Sequence, residues 1–335
     1  MDRLEDLYRD LLEHLKTADL VVLTTHLSPD GDGIGSQIAL AKLIDNFDVE
    51  VRIINRDPAP PELDFIDPTG RIEIYRPERH DEKILTANLV ICVDNSAPQR
   101  LGEMRGPIER SAGITVTFDH HPQPDPFWRK RVVDETASCT GEMVYRLQEE
   151  SGFPMCLEAA RAIYVALVGD TGRFRFGNTN ARALKLAVDL VEIGVQPAAV
   201  HTLLDERKSL GYLRLLGESL KELEVLCRGR LVVLNVTAEQ IERTGARPGD
   251  TSEIINEALR LEGSCVAALF RQSGSAETKI SLRSKRSLDV NALARRFGGG
   301  GHRNASGMVL DCGMEEARRS LLPLLEELVS ESNSS

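Results

Sequence analysis

Short runs of β-branched and aliphatic residues that stop abruptly at acids and histidines constrain this chain more than any other feature. Leu20 to Leu23 precedes His26-Leu27-Ser28-Pro29-Asp30-Gly31-Asp32, Leu89 to Val93 ends at Asp94, and Ile114 to Phe118 ends at Asp119-His120-His121. Apolar runs of that length without polar alternation suit strands covered on both faces, as in a parallel sheet. Further strands are expected at Val49 to Ile54 and Ile72 to Ile74, and helices at Ser36 to Ile44, Thr140 to Gln148 and Cys156 to Val168. Strand and helix alternate, so the fold class is α/β, with an N-terminal domain whose parallel sheet is flanked by helices. In such sheets ligands bind beyond the carboxyl ends of the strands, where Asp30, Asp94 and His120 fall.

Each motif has an ordinary reading. Asp30-Gly31-Asp32-Gly33 is standard turn chemistry. An EF-hand loop is excluded, because Ile34 and Ala41 stand where two of its ligands belong. A dinucleotide fingerprint fails as well, since Ser36 occupies the position of its third glycine. Asp94 alone suits a helix cap, and Asp170 in Gly169-Asp170-Thr171-Gly172 suits a loop cap, whereas two adjacent histidines after an acid favour ligation. Together they form a set of carboxylates with a few imidazoles, the donors that hard divalent ions take. Paired ions acting on phosphate esters sit roughly 3.5–4 Å apart.

The 335 residues are enough for two domains with cores of their own. A net charge of −11 argues against a sequence-independent grip on long nucleic acid, leaving small phosphorylated substrates. The six cysteines form no C-x-x-C pair, so neither a disulfide framework nor a zinc ribbon is indicated. Acids among the first leucines suit an amphipathic helix instead of a signal peptide, and no apolar run is long enough to span a bilayer. A cytoplasmic location with no membrane association is expected.

Residues 180–226 are helical and highly charged, and a new unit begins with the strand Leu231 to Val236. It continues through a helix near Ser252 to Leu261, strands Cys265 to Phe270 and Thr278 to Leu282, and a helix Val290 to Phe297 with Asp289 as N-cap and Gly298 as stop. From Arg271 to Arg303 eight Lys/Arg stand against Glu277 and Asp289. A solvated face would explain them. Their coincidence with the glycines 298–301 favours anion binding, because glycine lets backbone N–H groups approach phosphate and arginine offers a planar fork. Only the Ser-rich tail at 331–335 reads as disordered.

His26-x-Ser28-Pro29-Asp30-x-Asp32-x-Ile34-Gly35-Ser36, Asp94-Asn95-Ser96, Asp119-His120-His121 and Gly169-Asp170-Thr171-Gly172 resemble, in order, the four motifs of the DHH phosphoesterase superfamily. Gly298-Gly299-Gly300-Gly301-His302 resembles the signature of its accessory DHHA1 domain, so the motifs span 26–307. Gly33 and Ser306 stand where many members have alanine. The resemblance implies a DHH catalytic domain at 1–190, a helical linker at 191–228 and a smaller α/β DHHA1 substrate-binding domain at 229–330. It implies two Mn²⁺, with Mg²⁺ or Co²⁺ as substitutes: His26, Asp30 and Asp94 on one ion, Asp32, Asp94, His120 and Asp170 on the other. Asp94, His120 and His121 would be catalytic, with His121, Arg283, Gly300, Gly301 and His302 on the substrate.

Size and layout are similar to the NrnA type, oligoribonucleases that also dephosphorylate 3′-phosphoadenosine 5′-phosphate (pAp) to AMP. The implied partners are short RNA oligonucleotides, pAp or dinucleotides, and related proteins suggest a homodimer. A cyclic or linear diadenylate phosphodiesterase is the alternative in substrate. A non-catalytic nucleotide-binding module is the alternative in class, and it would bind nucleotide without consuming it.

Overall fold

The computed structural model describes residues 4–122, 125–247, 250–251, 253–274, 276–285 and 288–331. The chain divides into two compact units, Met1–Arg207 and Lys208–Ser335. The 191–228 stretch expected to link domains is split between them.

Unit 1 holds six strands, β1 (Leu20–Thr24), β2 (Glu50–Asn55), β3 (Ile72–Ile74), β4 (Leu89–Val93), β5 (Ile114–Asp119) and β6 (Lys130–Val133). They pair in parallel in the order β3-β2-β1-β4-β5-β6. The five expected strands all form. The sixth, opening on Lys130-Arg131, escaped notice because an edge strand carries charge and breaks the apolar signature. Its helices are α1 (Leu4–Thr17), α2 (Gly31–Ile44), α3 (Pro77–Thr86), α4 (Arg105–Glu109), α5 (Thr140–Ser151), α6 (Leu157–Asp170), α7 (Ala181–Ile193) and α8 (Pro197–Asp205).

Both faces of this sheet are covered, which explains the unbroken apolar strands. Val21, Leu23, Ile91 and Val93 pack into a cluster with α1, α2, α5 and α6, while Val22, Val90 and Cys92 meet Ile84, Leu101, Met104 and Trp128 on the other side. Strand order reverses direction between β1 and β4; the loops leaving those two strands carry His26, Asp30 and Asp94, and the first turn of α2 carries Asp32.

Helix α2 begins at Gly31, five residues before the periodicity placed it, because Asp30 caps it by accepting from the Asp32 and Gly33 N–H groups at 3.1 and 3.2 Å. The helix is buried nearly all round and lies against α6. A Cβ on Gly35 would stand 2.4 Å from the Ala162 carbonyl oxygen, so glycine alone permits this approach. One turn earlier a Cβ on Gly31 would lie 3.4 Å from the Val165 carbonyl oxygen and 3.9 Å from Gly169 Cα, so the turn that carries Asp32 lies beside the end of α6 that carries Asp170.

Unit 2 comprises α9 (Leu210–Lys221), β7 (Glu224–Leu226), β8 (Leu231–Val236), α10 (Ala238–Thr244), α11 (Ile254–Ala258), β9 (Val266–Gln272), β10 (Thr278–Ser284), α12 (Val290–Arg296), β11 (Gly300–His302), β12 (Ala305–Leu310) and α13 (Met314–Glu331). The sheet runs β11-β12-β10-β9-β8-β7 and is mixed, with β8 and β9 parallel. Apolar clusters lie on its two faces, one with α12 and α13, the other with α9 and α11. Asp289 caps α12 through the Ala292 N–H at 2.9 Å, and Gly298 follows at φ +75°. Helix α11 is shorter than the expected Ser252 to Leu261, and Ser252 lies outside the described residues, as do 332–335 of the expected disordered tail.

Gly35→Ala is expected to lower stability by about 1–3 kcal/mol, although alanine favours an ordinary helix by about 1 kcal/mol, because a fixed carbonyl blocks the added methyl. A urea midpoint at or above that of the parent would refute the tight α2–α6 contact.

Candidate metal centre

The loops after β1, β4 and β5 and the end of α6 converge. His26 Nε2 lies 3.3 Å from Asp94 Oδ2 and 3.9 Å from Asp30 Oδ1. His120 Nε2 lies 3.7 Å from Asp32 Oδ2, 3.7 Å from Asp94 Oδ1 and 3.5 Å from Asp170 Oδ2. Two atoms each about 2.1 Å from one ion stand roughly 3–4 Å apart, so both groups have the spacing of ligands around a cation. Asp94 turns one oxygen to each group. It reaches that position in a left-handed conformation, φ 55°, that a non-glycine residue adopts at a cost of about 1–3 kcal/mol.

Neighbouring groups hold these side chains. Asp32 accepts from the Thr140 N–H at 2.7 Å, the Gly141 N–H at 3.0 Å and Ser36 Oγ at 3.0 Å, so the first turn of α5 points its positive end at this carboxylate. Asp119, fully buried, accepts from Ser96 Oγ at 2.5 Å and His121 Nδ1 at 2.8 Å. That bond keeps a proton on His121 Nδ1. Asn178 Nδ2 lies 3.2 Å from Asp170 Oδ2, 3.1 Å from the Asp170 carbonyl and 2.9 Å from that of Ser138. His26 Nδ1 is 2.8 Å from the Leu27 carbonyl and 2.7 Å from Arg100 Nη2. Arginine only donates, so the two contacts cannot both be hydrogen bonds in one tautomer.

The electrostatics call for positive charge. Burial, then the nearby Asp32, Asp30, Asp119 and Asp170, push the Asp94 carboxyl well above its usual range. Burial raises Asp32 as well, against the pull of His120 and the Thr140 N–H, and Asp170 is pushed up to about 7 by burial and by Asp32. Burial lowers His26. At Asp119 burial works upward but is outweighed by His121 and Ser96, which hold that carboxyl low; His121, despite its burial, is raised in return. His120 Nε2 is buried without a hydrogen-bond partner although three carboxylates surround it. An orphaned imidazole nitrogen among carboxylates of raised pKa fits a divalent cation, and the oxygen-rich set without thiolate suits Mg²⁺ or Mn²⁺ over softer ions.

All six sequence-derived ligand residues, His26, Asp30, Asp32, Asp94, His120 and Asp170, thus meet in unit 1, with His121 beside them. In unit 2, Arg283 on β10 is opposite Ala305 of β12, which is opposite His302 of β11, so the three form one row across the sheet. Arg283 Nη1 donates to the Leu282 carbonyl at 3.0 Å, and among the described residues no carboxylate pairs with it. Burial lowers its pKa. Gly300 is paired with Gly307, and Gly301, at φ +138°, would set a Cβ 2.5 Å from the Ala305 carbonyl. The His302 side chain lies outside what is described. Asn178, Thr140 and Arg100 escaped the sequence reading, because a helix's first residues and a Gly-Asn-Thr-Asn turn look the same whether or not they hold a carboxylate.

The DHH family N-terminal domain is matched over residues 20–167 and the DHHA1 domain over 230–331. The "Bifunctional oligoribonuclease and PAP phosphatase NrnA" of Bacillus subtilis is 29% identical over 318 residues, covering 94% of this chain and 96% of that protein. The Thermus thermophilus protein of the same name is 29% identical, covering 87% of this chain and 84% of its own. Among solved structures, an exopolyphosphatase-related protein from Bacteroides fragilis superposes with a TM-score of 0.91 at 29% identity, covering 98% of this chain and 96% of that one.

The sign of the proton linkage gives a test. Asp170 titrates at about 7 in the fold against 3.8 when unperturbed, so between those values the native state binds more protons and the metal-free protein loses stability as pH rises. A divalent cation stabilises only the deprotonated cluster. The rise in Tm on adding Mn²⁺ after chelation is therefore expected to be larger at pH 8 than at pH 5; equal shifts would remove the cluster as the binding site.

Proposed function

Because the chain belongs to the DHH family and carries a DHHA1 domain, we infer that it degrades short oligoribonucleotides to mononucleotides and dephosphorylates pAp to AMP. The chain is a hydrolase acting on phosphate ester bonds. The observation that carries the finer reading is Asp94, whose two oxygens face two separate ligand groups. In this reading His26, Asp30 and Asp94 hold one Mn²⁺, and Asp32, Asp94, His120 and Asp170 hold a second. Such cations, when bound, supply a water that loses its proton near neutral pH and neutralise charge on the phosphoryl oxygens.

The protein's own contribution is placement. Asp94 joins the two groups, so the attacking and leaving sides of one phosphate share a fixed origin. Asp32, clamped by two backbone N–H groups, and Asp170, clamped by Asn178, keep the second group from spreading under its own repulsion. Asp119 fixes the His121 ring through Nδ1 and favours its protonated form, and as an imidazolium His121 would donate from Nε2 to a phosphoryl oxygen. Arg283, the backbone of Gly300 and Gly301, and His302 are proposed to bind the phosphate or base that is not cleaved. A guanidinium without a carboxylate partner among the described residues, part-buried on an inner strand, is suited to an anion.

Purified protein with Mn²⁺ should release mononucleotides from pApA and from a five-nucleotide RNA, and phosphate from pAp. Turnover confined to cyclic or linear diadenylate would replace this substrate reading while keeping the same centre. Nucleotide binding without any product would replace catalysis itself. Asp94→Asn is expected to lower turnover on every substrate by on the order of 10²–10³-fold or more; near-parent rates would end the bridging assignment. Arg283→Ala should raise KM for pAp and dinucleotides roughly 10- to 100-fold, the worth of a charged hydrogen bond, while bis(p-nitrophenyl) phosphate changes little. Equal losses on both would mean that Arg283 serves the fold or the chemistry.

A further inference from the structure

Three successive residues just past Asp170 are left-handed. Gly172, Arg173 and Phe174 stand at φ 55°, 59° and 61°, and two of the three carry side chains that disfavour this backbone. Such strain persists only where the surroundings over-determine it. Here the Arg173 N–H donates to the Val168 carbonyl at 2.8 Å, the Arg173 guanidinium pairs with Asp205, and the Phe174 N–H donates to Thr171 Oγ1 at 3.1 Å. The Thr171 carbonyl accepts from both the Arg175 and the Phe176 N–H groups at 2.9 Å. Asn178 then ties the far end of the turn back to the Asp170 carbonyl and carboxylate.

What this turn presents is one phenyl ring. Phe176 is 56% exposed and, among the described residues, meets no other ring, whereas the other exposed phenylalanine, Phe153, packs on Phe47 with ring centroids 5.3 Å apart. A Cβ on Gly172 would stand 2.5, 2.5 and 2.7 Å from Cε2, Cζ and Cδ2 of Phe176. Three neighbouring ring atoms so nearly equidistant place that point over the face of the ring, because an edge-on approach would leave the third atom much farther than the other two. One face therefore lies on the glycine, which leaves the opposite face to account for the exposure. Isolated exposed phenylalanines are common. This one is held flat by a strained turn whose two ends are both fixed to a ligand residue of the centre. Consecutive Cα atoms are about 3.8 Å apart, so Gly172 Cα, under the ring, is within roughly 7.6 Å of Asp170 Cα. A nucleotide with its phosphate at the centre has its base within that reach.

We propose that Phe176 is a stacking platform for a nucleobase of the substrate. Every base has a π-face, so stacking on a phenyl ring accepts any base and needs no hydrogen-bond pattern. Gly172 admits the face-on ring and the left-handed turn fixes it, so the platform loses little freedom when a base arrives. The proposal deepens the nucleotide phosphoesterase reading of this centre and rests on it: an inorganic or sugar phosphate gains nothing from the ring.

The test is isothermal titration of the Mn²⁺-loaded full chain with AMP and with ribose 5-phosphate, which carries the same phosphate and sugar without a base. The parent is expected to bind AMP roughly 10- to 100-fold more tightly, the worth of one stacked base. Phe176→Leu keeps an apolar side chain but removes the π-face, and should bring the two ligands to similar affinity by weakening AMP alone. Phe176→Trp should keep the preference. A parent without preference for AMP, a Phe176→Leu variant that retains it, or one that weakens both ligands alike would overturn the platform. Turnover of pAp by the parent is scored separately: its absence beside a ring-dependent preference for AMP would replace pAp as the substrate and leave the platform standing.

Discussion

The structure turns on placing several carboxylates where water cannot reach them. Asp32, Asp94 and Asp119 are all nearly or fully buried, Asp94 within 4.8 Å of Asp119 and Asp32 within 4.8 Å of Asp170, with His120 in both groups. Isolated buried anions would be neutralised by protons, and the upward displacement of Asp94 and Asp170 shows that pressure. Much of the local architecture opposes it: the N-terminal turn of α5 on Asp32, Ser96 and His121 on Asp119, and Asn178 on Asp170. These partial charges reduce the repulsion without cancelling it. The remainder is what a divalent cation would supply, and the strained Asp94 backbone and the glycine-permitted α2–α6 contact both hold side chains of the cluster that could bind one.

Much of this was legible in the sequence because the strand-end rule couples topology to chemistry. A parallel strand buried on both faces has nowhere to put an acid except at its end, so Asp94 after Leu-Val-Ile-Cys-Val and Asp119 after Ile-Thr-Val-Thr-Phe locate a site before any contact is known. The start of α2 was misplaced because periodicity reports side chains that face a core, and the missed residues 31–35 are three glycines, Asp32, which faces the centre, and one isoleucine. Strands β11 and β12 went unseen because glycines and small residues carry no alternation. Asn178 and the α5 N–H groups were invisible for a deeper reason: their function is fixed by which distant residue they meet, and spacing along the chain says nothing of that.

The second unit follows a different logic. Its glycines at 299 and 301 let the chain lie close against β12, since added Cβ atoms would stand 2.3 Å from the Gly307 carbonyl and 2.5 Å from that of Ala305, and Gly301 takes a backbone conformation that a side chain would strain. The edge of the sheet therefore offers main-chain groups, and the row through Ala305 aligns them with the Arg283 position on an inner strand. An arginine confined between two neighbours loses little further freedom on meeting an anion, and its planar fork is matched to phosphate. If these groups bind substrate as proposed, recognition built in this way would be short in reach.

Charge distribution leads to the same restriction from the other direction. The chain as a whole carries −11, while 271–303 carries eight basic residues against two acids. At physiological ionic strength fields fade over roughly 8 Å. A ligand of a few nucleotides, as proposed, would feel mainly the charges of the groups it touches. A long polyanion must also lie along acidic surface, and each further phosphate adds repulsion without a counterion-releasing contact. Under the proposed function, the acidic balance of this protein would therefore contribute to selectivity: discrimination by length would arise from the charge outside the site, and the chemistry inside it would not need to measure length.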